Sequence, residues 1–131
     1  MSEANEQKYQ IIADLIKQGD AEEALVKLEQ LLIKVPNDLT ALSMSGSAYM
    51  RIGDQAKAFT KFEEAISIDP SSFSAHGDLA FIAMKCGQSA RAIKHFEKAL
   101  ESNPKYYPAW SFLEALYFEK RDYVSALSAV K

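Results

Sequence analysis

The chain has 131 residues, of which 48% are hydrophobic and 25% are charged, and its net charge at pH 7 is −3. A chain of this length can bury the core of one domain, and we expect a single domain over residues 1–131. The negative net charge and the pI of about 5.4 argue against a nucleic-acid-binding protein, because such proteins usually present a basic face.

The sequence shows neither a membrane segment nor an export signal. No apolar run reaches the roughly 18–20 residues that a membrane span needs. The first residues lack the basic and apolar regions of a signal peptide. The single cysteine, Cys86, cannot form an internal disulfide and suits a reducing compartment. We therefore expect a cytoplasmic protein without membrane contact; a secreted protein whose leader has been removed remains the alternative.

A spacing of 34 residues recurs along the chain. A period of this length is typical of a repeated helix pair. It divides the chain into repeats 5–38, 39–72 and 73–106 and a partial repeat 107–131. The residues that keep the period are Pro36, Pro70 and Pro104, Gly19, Gly53 and Gly87, and Ala24, Ala58, Ala92 and Ala126.

Each repeat predicts one helix that runs to the glycine and a second that runs from just after it to just before the proline. The second repeat has the clearer pattern. Leu42 and Gly46 share one face of its first helix, and the small Gly46 lets the partner helix approach while Phe62 fills the space around it. Gly53 can end the first helix in the left-handed conformation, and Asp54 can cap the second helix.

The third repeat follows the second, with Ala80 and Phe96 at the corresponding positions. The fourth repeat departs from the pattern, because Glu114 stands where a small residue is expected. We therefore expect its helices to pack differently or to open partly, with a second helix beginning near Tyr123. That helix leaves an apolar stripe uncovered, which indicates either a fragment of a longer protein or a homodimer through this end. The stripe consists of Tyr123, Val124, Leu127 and Val130.

This pattern resembles the tetratricopeptide repeat from residue 5 onward. Two departures are Ser45, where the family usually has Leu, and His76, where it usually has Trp. The resemblance implies an all-α fold, a right-handed α-solenoid of stacked antiparallel helix pairs with about three and a half repeats. In the second repeat it rests on Leu42, Ser45, Gly46, Tyr49, Gly53, Ala58, Phe62, Ala65 and Pro70.

In this family the first helices of successive pairs line a concave groove that binds a peptide segment of a partner protein. Small residues in the groove leave room for a peptide backbone, and methionines suit an adaptable surface. The groove residues that the resemblance implies are Tyr9, Ser43, Ser47, Met50, Arg51, Gly77, Phe81, Met84, Lys85 and Phe118.

Some of these residues have an alternative, structural role. Ile16, Met50, Met84 and Phe118 share one position in each repeat, which favours packing between neighbouring first helices. Tyr9 and Phe81 lie away from that position and are better candidates for ligand contact.

A basic residue ends the first helix of three repeats, at Lys17, Arg51 and Lys85, and the fourth repeat has Glu119 there. A row of three cations could bind an acidic peptide. The alternative is that each cation interacts with the dipole at the end of its own helix.

The residues argue against one partner class that family members bind, the acidic C-terminal tails of cytosolic chaperones. Those members use Lys, Asn and Arg side chains in a clamp. The corresponding residues here are Tyr9, Ala13, Met44, Ser74 and Asp78. None of them matches, and Asp78 would repel a carboxylate.

The sequence does not predict an enzyme. The two histidines and the single cysteine show no metal-ligand spacing, and no glycine-rich phosphate loop is present. We expect His76 to be a packed replacement for an aromatic residue and His95 to lie on the surface. We therefore expect no metal and no cofactor.

The sequence predicts a protein–protein interaction module that binds a peptide segment in its groove. One alternative is an N-terminal scaffold or dimerisation region of a larger multidomain protein, such as a transferase. A weaker alternative is a secretion-type chaperone that shields an apolar segment of its partner.

Overall fold

The structure is a computed structural model that describes the backbone of residues 3–129 and the side chains of residues 6–121. Over the described backbone the chain forms seven α-helices and no strand, so the all-α fold class is confirmed. The helices are α1 (Glu3–Lys17), α2 (Ala21–Lys34), α3 (Leu39–Ile52), α4 (Gln55–Ile68), α5 (Phe73–Lys85), α6 (Ser89–Ser102) and α7 (Tyr107–Ala129).

The ends of the first six helices follow the local chemistry of the repeat. Gly19, Gly53 and Gly87 each adopt a positive φ, between 76° and 92°, which a residue with a side chain rarely adopts. The Asp54 side chain then accepts a hydrogen bond from the backbone N–H of Lys57 at 3.1 Å and caps α4. The predicted division of each of these repeats into two helices at its glycine is confirmed.

The chain forms two compact units, one on each side of the bond between Pro70 and Ser71. In the first unit, α2 packs on α1 and α3, and α4 packs on α3. Its main apolar cluster includes Ile12, Leu25 and Leu28. In the second unit, α6 packs on α5 and α7 around a cluster that includes Phe96.

The two helices of a pair come closest where a small residue of the first helix meets an aromatic ring of the second. A Cβ atom added to Gly46 would lie 2.5 Å from the ring of Phe62, which is 1% exposed. In the second unit, Ala80 and Phe96 are buried in the same core cluster. The ring therefore occupies the space that a larger side chain on the first helix would need.

The fourth repeat differs from the prediction. We expected a second helix to begin near Tyr123, but α7 continues without a break from Tyr107 to Ala129. Arg121 stands where the earlier repeats have a glycine, so no residue there readily takes the left-handed conformation that ends a helix. The side chains of the predicted apolar stripe, from Tyr123 onward, lie outside the described residues.

Replacing Gly46 by Val should destabilise the protein, because the new side chain and the buried ring of Phe62 would need the same space. We expect the free energy of unfolding to fall by about 1–3 kcal/mol, measured by chemical denaturation. The control is Ala56→Val on the exposed surface of α4, which should cost less than about 1 kcal/mol through helix propensity alone. Equal losses in the two variants would contradict the packing described for Gly46.

Candidate functional site

In the first unit, four of the predicted groove residues lie together on α3. They are Ser43, Ser47, Met50 and Arg51, and their spacing places them on one face of the helix. Ser47 and Arg51 are exposed, whereas Ser43 and Met50 are half-buried. This surface, which we call the α3 face, offers two small polar residues, one flexible apolar side chain and one cation.

Tyr9 has a structural partner that the sequence did not reveal. Its hydroxyl donates a hydrogen bond to a carboxylate oxygen of Asp38, and this bond, followed by burial, raises the pKa of Tyr9 to about 12. The other carboxylate oxygen of Asp38 accepts from the backbone N–H of Ala41 at 3.1 Å and caps α3. The hydrogen bond of Tyr9 therefore connects α1 to the residue that caps α3, so the Tyr9 hydroxyl already has a partner within the protein.

In the second unit, the half-buried ring of Phe81 lies close to another aromatic ring and to a cation. Its ring centroid lies 5.7 Å from that of Phe112 on α7, and the Lys85 ammonium lies 4.9 Å from the Phe81 ring centroid. Met84 packs against the core cluster of this unit, whereas Phe118 is 65% exposed. Met84 therefore contributes to packing within its unit, whereas Phe118 is mostly exposed to solvent.

The prediction that Gly77 leaves room for a bound peptide backbone is wrong. We expected this glycine to leave room for a bound backbone, but it is buried beneath the side chain of Tyr106. A Cβ atom at Gly77 would lie 2.6 Å from ring and hydroxyl atoms of Tyr106. The Tyr106 ring also packs on Phe73, with centroids 5.3 Å apart. Gly77 thus makes room for a side chain of its own unit.

Asp78 follows Gly77 on α5 and is half-buried. Its carboxylate makes no hydrogen bond or ion pair with the described side chains. Burial raises the pKa of Asp78 to about 6. The pKa of Tyr106 is also raised, first by burial and then by the charge of Asp78. Asp78 is therefore a carboxylate whose charge the described part of its unit leaves uncompensated.

The two histidines, 19 residues apart in sequence, contact each other. His76 is 4% exposed, as expected for a packed aromatic replacement. His95 is not the surface residue that we expected, because it is half-buried and its ring lies on His76. The two Nδ1 atoms are 3.1 Å apart, so one ring donates a hydrogen bond to the other.

The surroundings of His95 disfavour the protonated, positively charged form of its ring. Burial lowers its pKa to about 4, and His76 and three cations add to the effect. The cations are Arg91, Lys94 and Lys98.

Two surface hollows lie outside the predicted set. One, of about 660 Å³, opens between α6 and α7 and is lined by Trp110, Leu113 and Glu114 among others. The other, of about 190 Å³, lies between α1 and α2. The side chain of Glu114 is exposed.

The described residues contain no arrangement typical of a metal site or of a membrane span. No cluster of three or more His, Cys, Asp or Glu side chains there is arranged to hold a metal ion. None of the described helices combines the length and apolar character that crossing a membrane requires.

The basic residues Lys17, Arg51 and Lys85 lie in the last turns of α1, α3 and α5. Each cation is therefore placed where it interacts favourably with the dipole of its own helix. Their arrangement as a continuous row stays a prediction.

Family models for the tetratricopeptide repeat match residues 9–73 and residues 53–111. The chain belongs to the tetratricopeptide repeat family. No curated protein matches its sequence significantly. Both family matches are to a structural repeat rather than to an enzyme family.

Solved structures share this tetratricopeptide fold. The Yersinia enterocolitica type III secretion chaperone SycD, in complex with a peptide of the translocator YopD, matches with a TM-score of 0.82 and 19% identity, covering 92% of this chain and 97% of that one. The first tetratricopeptide domain of Spaghetti (RPAP3), bound to an HSP90 peptide, matches with a TM-score of 0.80 and 21% identity, covering 88% and 94%. These identities establish the common fold alone.

A third structure is much longer than this chain. The Thermobaculum terrenum O-GlcNAc transferase matches with a TM-score of 0.72 and 24% identity, and the match covers 88% of this chain but 23% of that one. The similarity therefore concerns a small part of that enzyme.

The pKa of His95 predicts how stability depends on pH. An unfolded chain protonates histidine near pH 6.5, whereas the folded protein does so near pH 4, so lowering the pH through this range favours the unfolded state. We expect His95→Gln to lose less thermal stability than the wild type between about pH 7 and about pH 5. Melting curves recorded at several pH values test this, and parallel curves for the two proteins would contradict it.

Proposed function

We propose that this protein is an interaction module that binds a peptide segment of a partner along the inner face of its first helices. It acts by binding rather than by chemistry, in the cytoplasm. The observation that carries the proposal is the α3 face, where Ser47 and Arg51 are exposed beside the half-buried Met50. Small and flexible side chains at the surface of a rigid helix pair suit an extended ligand whose sequence varies.

Two of the structural relatives support this proposal, since their structures contain a bound peptide of YopD or of HSP90. In the second unit, Phe81, Met84 and Phe118 offer apolar surface for side chains of a ligand. Tyr9 contributes its ring rather than its hydroxyl, because the hydroxyl is bonded to Asp38.

The ligand that we propose is not an acidic chaperone tail. Such a tail carries several carboxylates, and the clamp positions of this chain hold neutral residues and Asp78. The pKa of Asp78 is about 6, so its side chain is mostly charged at neutral pH and disfavours a second carboxylate beside it.

A second candidate is a scaffold within a longer protein. The observation that favours it is the match to the O-GlcNAc transferase, of which the similar part is less than a quarter. A scaffold of this kind need not bind peptides, so failure to select any peptide would favour it over the interaction module.

Placing a long cation on the α3 face should block peptide binding. We would select short random peptides by phage display against the wild type and synthesise the best binder. We expect Ser47→Arg to weaken its affinity by about tenfold or more, because the new side chain occupies the space of the ligand. Fluorescence anisotropy with the labelled peptide measures this.

The matched control is Ser67→Arg, which places the same side chain at an exposed serine of α4. We expect it to change the affinity by less than about twofold, as is usual for surface changes away from a site. Equal weakening by the two variants, or no weakening by Ser47→Arg, would contradict the proposed location.

A further inference from the structure

One face of α5 presents groups of three kinds in a fixed order. Ser74, Asp78, Phe81 and Lys85 are spaced by four, three and four residues, which places them on one side of the helix. We call this surface the α5 face. Along it the carboxylate comes first, then the aromatic ring, then the ammonium group.

The ammonium group of Lys85 does not neutralise the carboxylate of Asp78. Seven residues separate them, which is about 10 Å along a helix axis. The Lys85 ammonium lies over the ring of Phe81 instead, 4.9 Å from its centroid. The apolar ring of Phe81 thus lies between the two charges along the helix.

The neighbouring elements do not supply a counter-charge either. Tyr106, which covers Gly77 beside Asp78, has a neutral phenol whose pKa is raised. Asp78 forms no ion pair with any described residue. A half-buried carboxylate without a partner lowers the stability of the folded protein at neutral pH, unless something binds it.

We infer that Asp78 binds a Lys or Arg side chain of the peptide segment, so that the α5 face selects a basic residue of the partner. The inference rests on the proposed function and adds the chemical class of the ligand. The Lys or Arg head group would pair with the carboxylate, while its aliphatic stem would pack beside the ring of Phe81. The ion pair would also remove the cost of a buried, unpaired charge.

Because the proposed specificity depends on one charge, peptide selection is compared between variants of that charge. Random peptides are selected by phage display against the wild type, Asp78→Asn and Asp78→Lys. The control is Glu101→Gln, an exposed acidic residue on α6 of the same unit. We expect Lys or Arg to be enriched at one peptide position with the wild type and the control. The enrichment should vanish with Asp78→Asn and give way to acidic residues with Asp78→Lys.

A double-mutant cycle then measures the coupling. In the best peptide, the enriched Lys or Arg is replaced by norleucine, which keeps an aliphatic stem and removes the charge. We expect this replacement to weaken binding to the wild type by about tenfold or more, and binding to Asp78→Asn by less than about twofold. Equal losses for both proteins, or no basic residue among the selected peptides, would overturn the inference and leave the proposed function standing.

Two further outcomes distinguish failure of the proposed function from failure of the inference about Asp78. If the wild type selects no peptide, the proposed function fails, and the inference fails with it. The melting temperature of Asp78→Asn in the absence of peptide should rise at neutral pH, because the variant removes an uncompensated charge. A fall would mean that the carboxylate has a stabilising partner within the protein, which would also overturn the inference.

Discussion

The structure depends on how closely the two helices of each pair can approach. In the second repeat Gly46 makes room for the ring of Phe62, and the ring leaves no space for a Cβ atom. In the first repeat the larger Ile12 stands at the position of Gly46, and the smaller Leu28 stands at the position of Phe62. Both are buried in one cluster. The contact is therefore filled in both pairs, but the first helix contributes more of the volume in the first repeat than in the second.

Glu114 shows what happens when this constraint is not met. It occupies the position of Gly46 in the fourth repeat, where a carboxylate cannot be buried against an apolar side chain without a large cost. Arg121 also replaces the glycine that would end the first helix. Both changes favour the uninterrupted helix α7. Glu114 itself lines the hollow between α6 and α7.

The same packing between helices supports the proposed binding surfaces. The second helices hold α3 and α5 by their buried faces, so the opposite faces are presented on a rigid support. On α3 the support leaves small and flexible residues at the surface. On α5 it holds Asp78 where burial disfavours its charge. Residues that lower the stability of the fold in this way are typical of binding sites, because the ligand supplies the missing interaction.

The fold could be predicted from the sequence because its determinants are local. Glycine and proline fix the helix ends within a few residues, and the 34-residue period repeats them. The site could be predicted only in part. The contact of Tyr9 with Asp38 joins residues 29 apart, so helical spacing alone gives no sign of it. The same is true of the histidine pair and of the ring over Gly77.

We propose above all that ligands bind to the faces of the first helices and not to those of the second. The most direct measurement is an amide NMR titration of the isotope-labelled protein with a selected peptide. We predict that the largest shift changes fall on α3 and α5, around Ser47 and Phe81. Changes concentrated on the exposed surfaces of α4 and α6, with the α3 and α5 faces unaffected, would contradict the account.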